Sequence, residues 1–173
     1  MRAIIKKKKI VDADAKVDFF SVIFSSFFYS GFFPTISGTI GSLASLIIFF
    51  FDIFYNPVVL LILILLTFFI GIYTSERMIK RYGDDPSVIV IDEAVGMWLT
   101  ILIFISFPGT DLSWFYILVC FLSFRIFDIL KLQPARYYDN LKTAYGIMMD
   151  DIIAAVYAGV LAYLISLSRY NPF

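Results

Sequence analysis

Apolar residues run through this chain in long, nearly unbroken stretches, and polar residues gather in short groups between them. The stretches fall at about 17–33, 40–55, 57–75, 93–107, 112–131 and 150–168. A bilayer hydrocarbon core about 30 Å thick takes roughly 20 apolar residues in a helix. The pattern therefore predicts an all-α, polytopic membrane helical bundle. The first stretch resembles a signal peptide, with Lys6 to Lys9 ahead of a Phe-rich run. However, Asp12, Asp14 and Asp18 intervene, and no small-residue cleavage site follows.

Basic residues in short loops favour the cytoplasmic side. They occur at Arg2 and Lys6 to Lys9, at Arg77, Lys80 and Arg81, and at Lys131, Arg136 and Lys142. The turns near Asp52 to Asn56 and Phe107 to Asp111 carry none. Alternation then places the basic segments inside and the bare turns outside. For this to close, residues 17–33 must form a re-entrant or interfacial helix, leaving about five spans. The expected organisation is a basic cytoplasmic N-terminal segment over 1–16, a single membrane-embedded domain over 17–168, and a short tail over 169–173.

Composition supports lipid exposure: 61% of the 173 residues are hydrophobic and 19% aromatic, against about 45–50% apolar for a soluble domain. The mean hydropathy is +0.88. Lys plus Arg and Asp plus Glu number 14 each, so bulk charge suggests no nucleic-acid partner. The chain has no histidine, which removes imidazole-dependent phosphatases, His-ligated zinc and His-based triads. The single cysteine, Cys120, lies in an apolar run and cannot make a disulfide framework or a cysteine-rich metal site.

Chemistry is left to oxygen ligands, hydroxyls, Lys and Arg. Under the topology above, Thr35, Ser37, Thr39, Asp92, Glu93, Arg125, Asp128, Lys131, Asp150 and Asp151 all fall at cytoplasmic helix ends. Asp92-Glu93 and Asp150-Asp151 each stand near the start of an apolar segment, where a carboxylate either caps the helix dipole or serves a site. Two such pairs at one face, with Asp128 beside them, repel one another unless a divalent cation resides among them. Hard oxygen ligands favour Mg²⁺ over Zn²⁺. Arg125, Asp128 and Lys131, at i, i+3 and i+6, share one helix stripe. They form either a self-neutralising ladder or a phosphate clamp with a metal-facing carboxylate. The stretch Pro34 to Ser42, with Gly38 at its centre, is either an ordinary helix start or an anion-binding one.

Together, these segments resemble the phosphatidylglycerophosphatase A family of bacterial membrane phosphatases. The resemblance rests on Gly38-Thr39-Ile40-Gly41-Ser42-Leu43, Ile91-Asp92-Glu93-Ala94-Val95-Gly96-Met97-Trp98, Phe124-Arg125-Ile126-Phe127-Asp128 with Lys131 and Pro134, and Gly146-Ile147-Met148-Met149-Asp150-Asp151. Ser37, Leu132 and the residue Ala144 depart from the family's usual Pro, Pro and a nearby Gly. The resemblance implies Mg²⁺-dependent hydrolysis of phosphatidylglycerophosphate to phosphatidylglycerol and phosphate, at the cytoplasmic leaflet of a bacterial inner membrane. It places the family's acids at Asp92, Glu93, Asp128, Asp150 and Asp151, as catalytic and metal-binding residues. The expected phosphate-binding set is Thr35, Ser37, Gly38, Thr39, Arg125 and Lys131, with Lys131 also expected to be catalytic. Asp128 either joins the metal or acts as base, and water is the first choice of nucleophile over an aspartate or Thr39. The rivals are a phosphatase of another lipid or isoprenoid phosphate and a small cation-coupled transporter, which requires acids near the bilayer midplane.

Overall fold

The computed structural model describes Asp12, residues 14–84 and residues 86–170. The expected N-terminal segment over 1–16 lies mostly outside the described residues. Among the described residues the architecture is all-helical, in the order α1 (Phe19–Ser25), α2 (Ser37–Ser45), α3 (Pro57–Tyr82), α4 (Ile91–Ser106), α5 (Trp114–Leu130), α6 (Ala135–Asp139) and α7 (Ala144–Tyr170), with short 3₁₀ turns between α1 and α3.

Asp18 starts α1 by accepting a hydrogen bond from the Ser21 amide. The helix ends after seven residues, a rise of about 10 Å, too short to cross a bilayer. The chain then doubles back through Phe27, Phe28 and Tyr29, all left-handed at φ 41°, 55° and 68°. The first apolar stretch is thus broken into a helix, a reversal and a 3₁₀ turn.

Asn56 caps α3, accepting from Val58 N at 2.9 Å, with Pro57 in the first turn and Gly83 past the end at φ 86°. Pro at the start and Gly at the stop is the expected asymmetry. Helix α3, of 26 residues, and the 25 residues Ala144–Ser168 of α7 are long and apolar enough to cross a membrane. Of the about five spans expected, those two helices have the length and hydropathy to cross, and the full count is not confirmed among the described residues. The apolar helix Ser37–Phe50 is shorter than 18 residues, and α4 and α5 have 16 and 17. Helix α4 is the central element, packed by α7, α3, α2 and α5, and nearly all its middle turns are buried, so it presents little length to lipid.

Close packing around α4 needs small residues. A Cβ on Gly96 would stand 2.6 Å from the Phe124 ring of α5, and one on Gly159 would stand 2.6 Å from Ile103. Outward faces are apolar instead: Leu61, Leu65 and Phe69 on α3, Leu118 and Leu122 on α5, and Val156 and Leu164 on α7 are all exposed. A continuous apolar exterior of this kind belongs in lipid, and the chain is membrane-associated. Helix α7 continues to Tyr170, past the boundary expected at 168.

Candidate active site

Four segments bring polar side chains to one end of the bundle: the start of α2, the start of α4, the end of α5 and the early turns of α7. Between them lies a polar cleft of ≈ 170 Å³. It is lined by Ser37 and Gly38, by Asp92 and Glu93, by Asp128 and Lys131, by Asp150 and Asp151, and by the loop residues Pro86 and Ser87.

Helix α2 starts without a side-chain cap, after Ile36 in the left-handed region. The Ser37 hydroxyl donates to the Ser87 carbonyl at 2.7 Å, which pins the helix start to the loop before α4. A Cβ on Gly38 would meet the Glu93 carboxylate and displace it. One turn on, the Ser42 hydroxyl lies 2.9 Å from the Gly38 carbonyl and 3.0 Å from Glu93 Oε2.

Glu93, Asp128 and Asp151 each turn one carboxylate oxygen to a common point, all within 4.8 Å of one another. Arg125 holds two of them: its Nη1 pairs with Glu93 and stands 2.9 Å from Asp128 Oδ2. Lys131 caps α5 in the left-handed conformation, at φ 45°. That turn takes it off the Arg125–Asp128 stripe. Its ammonium instead bridges Asp139 of α6 and Asp150, the latter at 2.8 Å. Burial works against the Lys131 charge, but the hydrogen bonds to Asp139 and Asp150 and their negative charges outweigh it and hold its pKa above the ordinary lysine range.

Two carboxylate oxygens in this region, Asp92 Oδ1 and Asp151 Oδ2, are buried with no hydrogen-bond partner. An unpartnered buried acceptor is costly, and one on a carboxylate calls for a cation. The donor set is hard oxygen throughout, as Mg²⁺ requires. The residues present therefore fit a divalent cation at Glu93, Asp128 and Asp151, with Asp92 alongside.

Several expected positions sit differently. Asp150-Asp151 do not open the last helix, because α7 starts six residues earlier at Ala144, with no acidic residue in its first turn. The dipole-capping explanation thus fails for this pair, while Asp92-Glu93 do occupy the first turn of α4. Neither the continuous ladder nor the clamp drawn for Arg125, Asp128 and Lys131 forms, since Lys131 leaves their stripe. Arg125 is absorbed by carboxylates and does not line the cleft, nor do Thr35 and Thr39. Thr35 is exposed and Thr39 half-buried. Ser87 and Asp139 were not among the expected site residues. Asp139 reaches Lys131 across a non-helical corner, which no helical spacing signals.

The family model for Phosphatidylglycerophosphatase A matches residues 23–166, a range that holds every residue of the cleft. A Phosphatidylglycerophosphatase A of Escherichia coli is 35% identical over 140 residues, covering 80% of this chain and 78% of the relative. One of Haemophilus influenzae is 38% identical over 141 residues, covering 80% of this chain and 83% of the relative. A protein of Bacteroides thetaiotaomicron, provisionally described as a phosphatidylinositol-3-phosphatase, is 37% identical over 148 residues, covering 83% of this chain and 91% of the relative. No solved structure matches. With its acids converging at one end of an apolar bundle, and with relatives matched across most of their length, the chain belongs to the phosphatidylglycerophosphatase A family of phosphatases.

Proposed function

We propose that this chain hydrolyses the phosphate monoester of phosphatidylglycerophosphate to phosphatidylglycerol and inorganic phosphate, as a step of glycerophospholipid synthesis, with Mg²⁺ held at the acidic cleft. The observation that carries this reading is the convergence of Glu93, Asp128 and Asp151 beside the unpartnered oxygen of Asp92 and the ammonium of Lys131. Family membership supplies the reaction class and the head group.

Mg²⁺, when bound, supplies positive charge to the phosphoryl group and lowers the pKa of a water. The chain's own residues do the rest. Lys131 stays protonated and presents a cation at the cleft wall, where charge builds on the phosphoryl oxygens in transfer. Arg125 fixes the Glu93 and Asp128 carboxylates, a bidentate-capable cation being suited to that task. Asp92, beside the three converging carboxylates and outside their group, accepts the proton of the attacking water. The water oxygen bonds to phosphorus, the bond from phosphorus to the glycerol oxygen breaks, and that oxygen leaves with the proton that Asp92 took from the water. No side chain needs to be phosphorylated in this sequence.

The same reading places the cleft at the cytoplasmic face of a bacterial inner membrane, with one multi-pass domain. It is supported by Lys80 and Arg81 in the last turn of α3 and by Lys131 and Arg136 beyond α5, both at the cleft's end of the bundle. A cation relay needs acids spread in depth, and the gathering of these acids at one end disfavours it. A phosphate on an inositol ring is the second reading, favoured by the Bacteroides thetaiotaomicron relative. The test is phosphate release by purified protein from a panel holding phosphatidylglycerophosphate, phosphatidylinositol 3-phosphate, phosphatidic acid and an isoprenoid phosphate. Fastest release from phosphatidylglycerophosphate, lost with chelator and restored by Mg²⁺, is expected. Preference for the inositol lipid would move the assignment to the second reading.

A further inference from the structure

A second hollow, of ≈ 380 Å³, opens beside α2 and α4, and its chemistry is opposite to that of the cleft. Its walls include Phe27 and Phe28 from the reversal after α1, Ala44 and Ile48 from α2 and the turn beyond it, Leu63 from α3 and Trp98 from α4. The polar atoms near it are already engaged. The Ser30 hydroxyl donates to the Phe27 carbonyl at 2.8 Å, and the Trp98 indole N–H donates to the Ser45 carbonyl at 2.9 Å. Nothing is left to recognise a polar ligand, so the occupant is hydrocarbon.

Position then narrows the choice. The helices that line the cleft with their first turns line this hollow with later ones. Gly38 to Ala44 on α2 is six residues, a rise of about 9 Å, and Glu93 to Trp98 on α4 is five, about 7.5 Å. A lipid whose terminal phosphate sits in the cleft must span the head-group glycerol, the phosphodiester and part of the diacylglycerol's own glycerol before its first acyl carbon, a flexible linkage long enough to cover that distance. The cleft itself is walled by carboxylates and has no room for chains.

The wall is also built at a cost. Phe27, Phe28 and Tyr29 hold three successive left-handed conformations without a glycine, each unfavourable by the usual steric rule. The reversal puts the Phe27 ring edge-on against Trp98, with centroids 5.9 Å apart, and leaves Phe28 exposed at the rim.

We infer that the hollow seats one acyl chain of the lipid phosphate whose head group enters the cleft. This rests on the lipid-phosphatase reading and adds where the chain goes, so that chain length, and not head group alone, governs turnover. Filling the hollow with Ala44→Phe takes away space for an acyl chain, whose alternative is the equally apolar bilayer, so the loss is one of packing. It should therefore raise KM for a long-chain substrate by about threefold or more while leaving a short-chain, water-soluble analogue within about twofold. Leu63→Phe fills the same space from α3 and serves if the first variant does not fold.

A binding measurement stands apart from turnover. In an Asp151→Asn, Trp114→Phe background, Trp98 reports alone. A brominated-acyl phosphatidylglycerophosphate should quench it more strongly than brominated phosphatidylcholine, and Ala44→Phe should abolish the difference. Equal quenching by both lipids would show the hollow to be filled by bulk lipid and overturn the inference. Equal loss of turnover on long-chain and short-chain substrates would overturn it as well. Hydrolysis of the short-chain analogue by the unaltered protein tests the phosphatase reading separately, so the two failures are distinguishable.

Discussion

The two acidic pairs look alike in sequence and do different work in the fold. Asp92-Glu93 stand in the first turn of α4, where the dipole favours them. Asp150-Asp151 stand further inside α7, where no cap needs them, and both are buried. Each pair also divides. Neighbours on a helix point about 100° apart, so one member of each, Glu93 and Asp151, joins Asp128 in the converging group. Of the others, Asp150 pairs with Lys131 and Asp92 keeps a free oxygen. An acidic pair at a helix start has an architectural reason to exist; one held inside a helix at 5% and 3% exposure needs a chemical one.

That contrast orders the effects of substitution. The largest belongs to the converging group. Asp151→Asn and Glu93→Gln keep shape but remove charge from the cation's seat, and kcat should fall by about 10²-fold or more with the fold retained. Near wild-type turnover in both would leave the group as architecture. Lys131→Met keeps the stem and deletes the cation, with an expected loss of about 10²-fold in kcat.

Arg125 sharpens the comparison from the other side. Arg125→Met leaves the part-buried Glu93 and Asp128 without their arginine, and removing one partner of a fully buried pair costs about 3–5 kcal/mol, an upper bound here. A clear drop in thermal stability in detergent is expected, larger than that of Lys131→Met. Equal stability losses would mean that the two cations are not divided between structure and chemistry.

Smaller effects test the edges. Because the Lys131 pKa is raised, its charge, and any stability its pairing adds, are fully present below the ordinary lysine value and lost only above it. The pH–rate profile should accordingly show no fall from lysine deprotonation up to about pH 10. A basic limb near pH 8 that disappears in Lys131→Met would contradict this. Thr35→Ala and Thr39→Ala should change turnover by less than about twofold, since neither side chain lines the cleft. A large loss in Thr39→Ala would reopen it as nucleophile.

Much of this was legible in the chain. Long apolar stretches gave an all-helical bundle, and the absence of histidine narrowed the chemistry to oxygen ligands. The acids on α4, α5 and α7 could be brought together from basic-loop placement alone. What escaped was set by local backbone turns that hydropathy does not register. The left-handed Lys131 swings its ammonium to α6 and α7. The start of α7 at Ala144, ahead of Asp150, follows from Thr143, whose hydroxyl accepts from the Gly146 amide at 3.1 Å. The left-handed run at Phe27 to Tyr29 broke the first stretch where composition alone reads as continuous helix.

The central claim is that Asp151 belongs to a cation-dependent lipid phosphatase site and is not a structural carboxylate. The measurement that tests it most directly is phosphate release from phosphatidylglycerophosphate, titrated with free Mg²⁺ for the folded wild type and Asp151→Asn. The account predicts saturable Mg²⁺ activation of the wild type, none in excess EDTA, and a variant at least about 10²-fold slower at any Mg²⁺ concentration. Full wild-type activity in EDTA, or a variant that follows the wild-type curve, would contradict it.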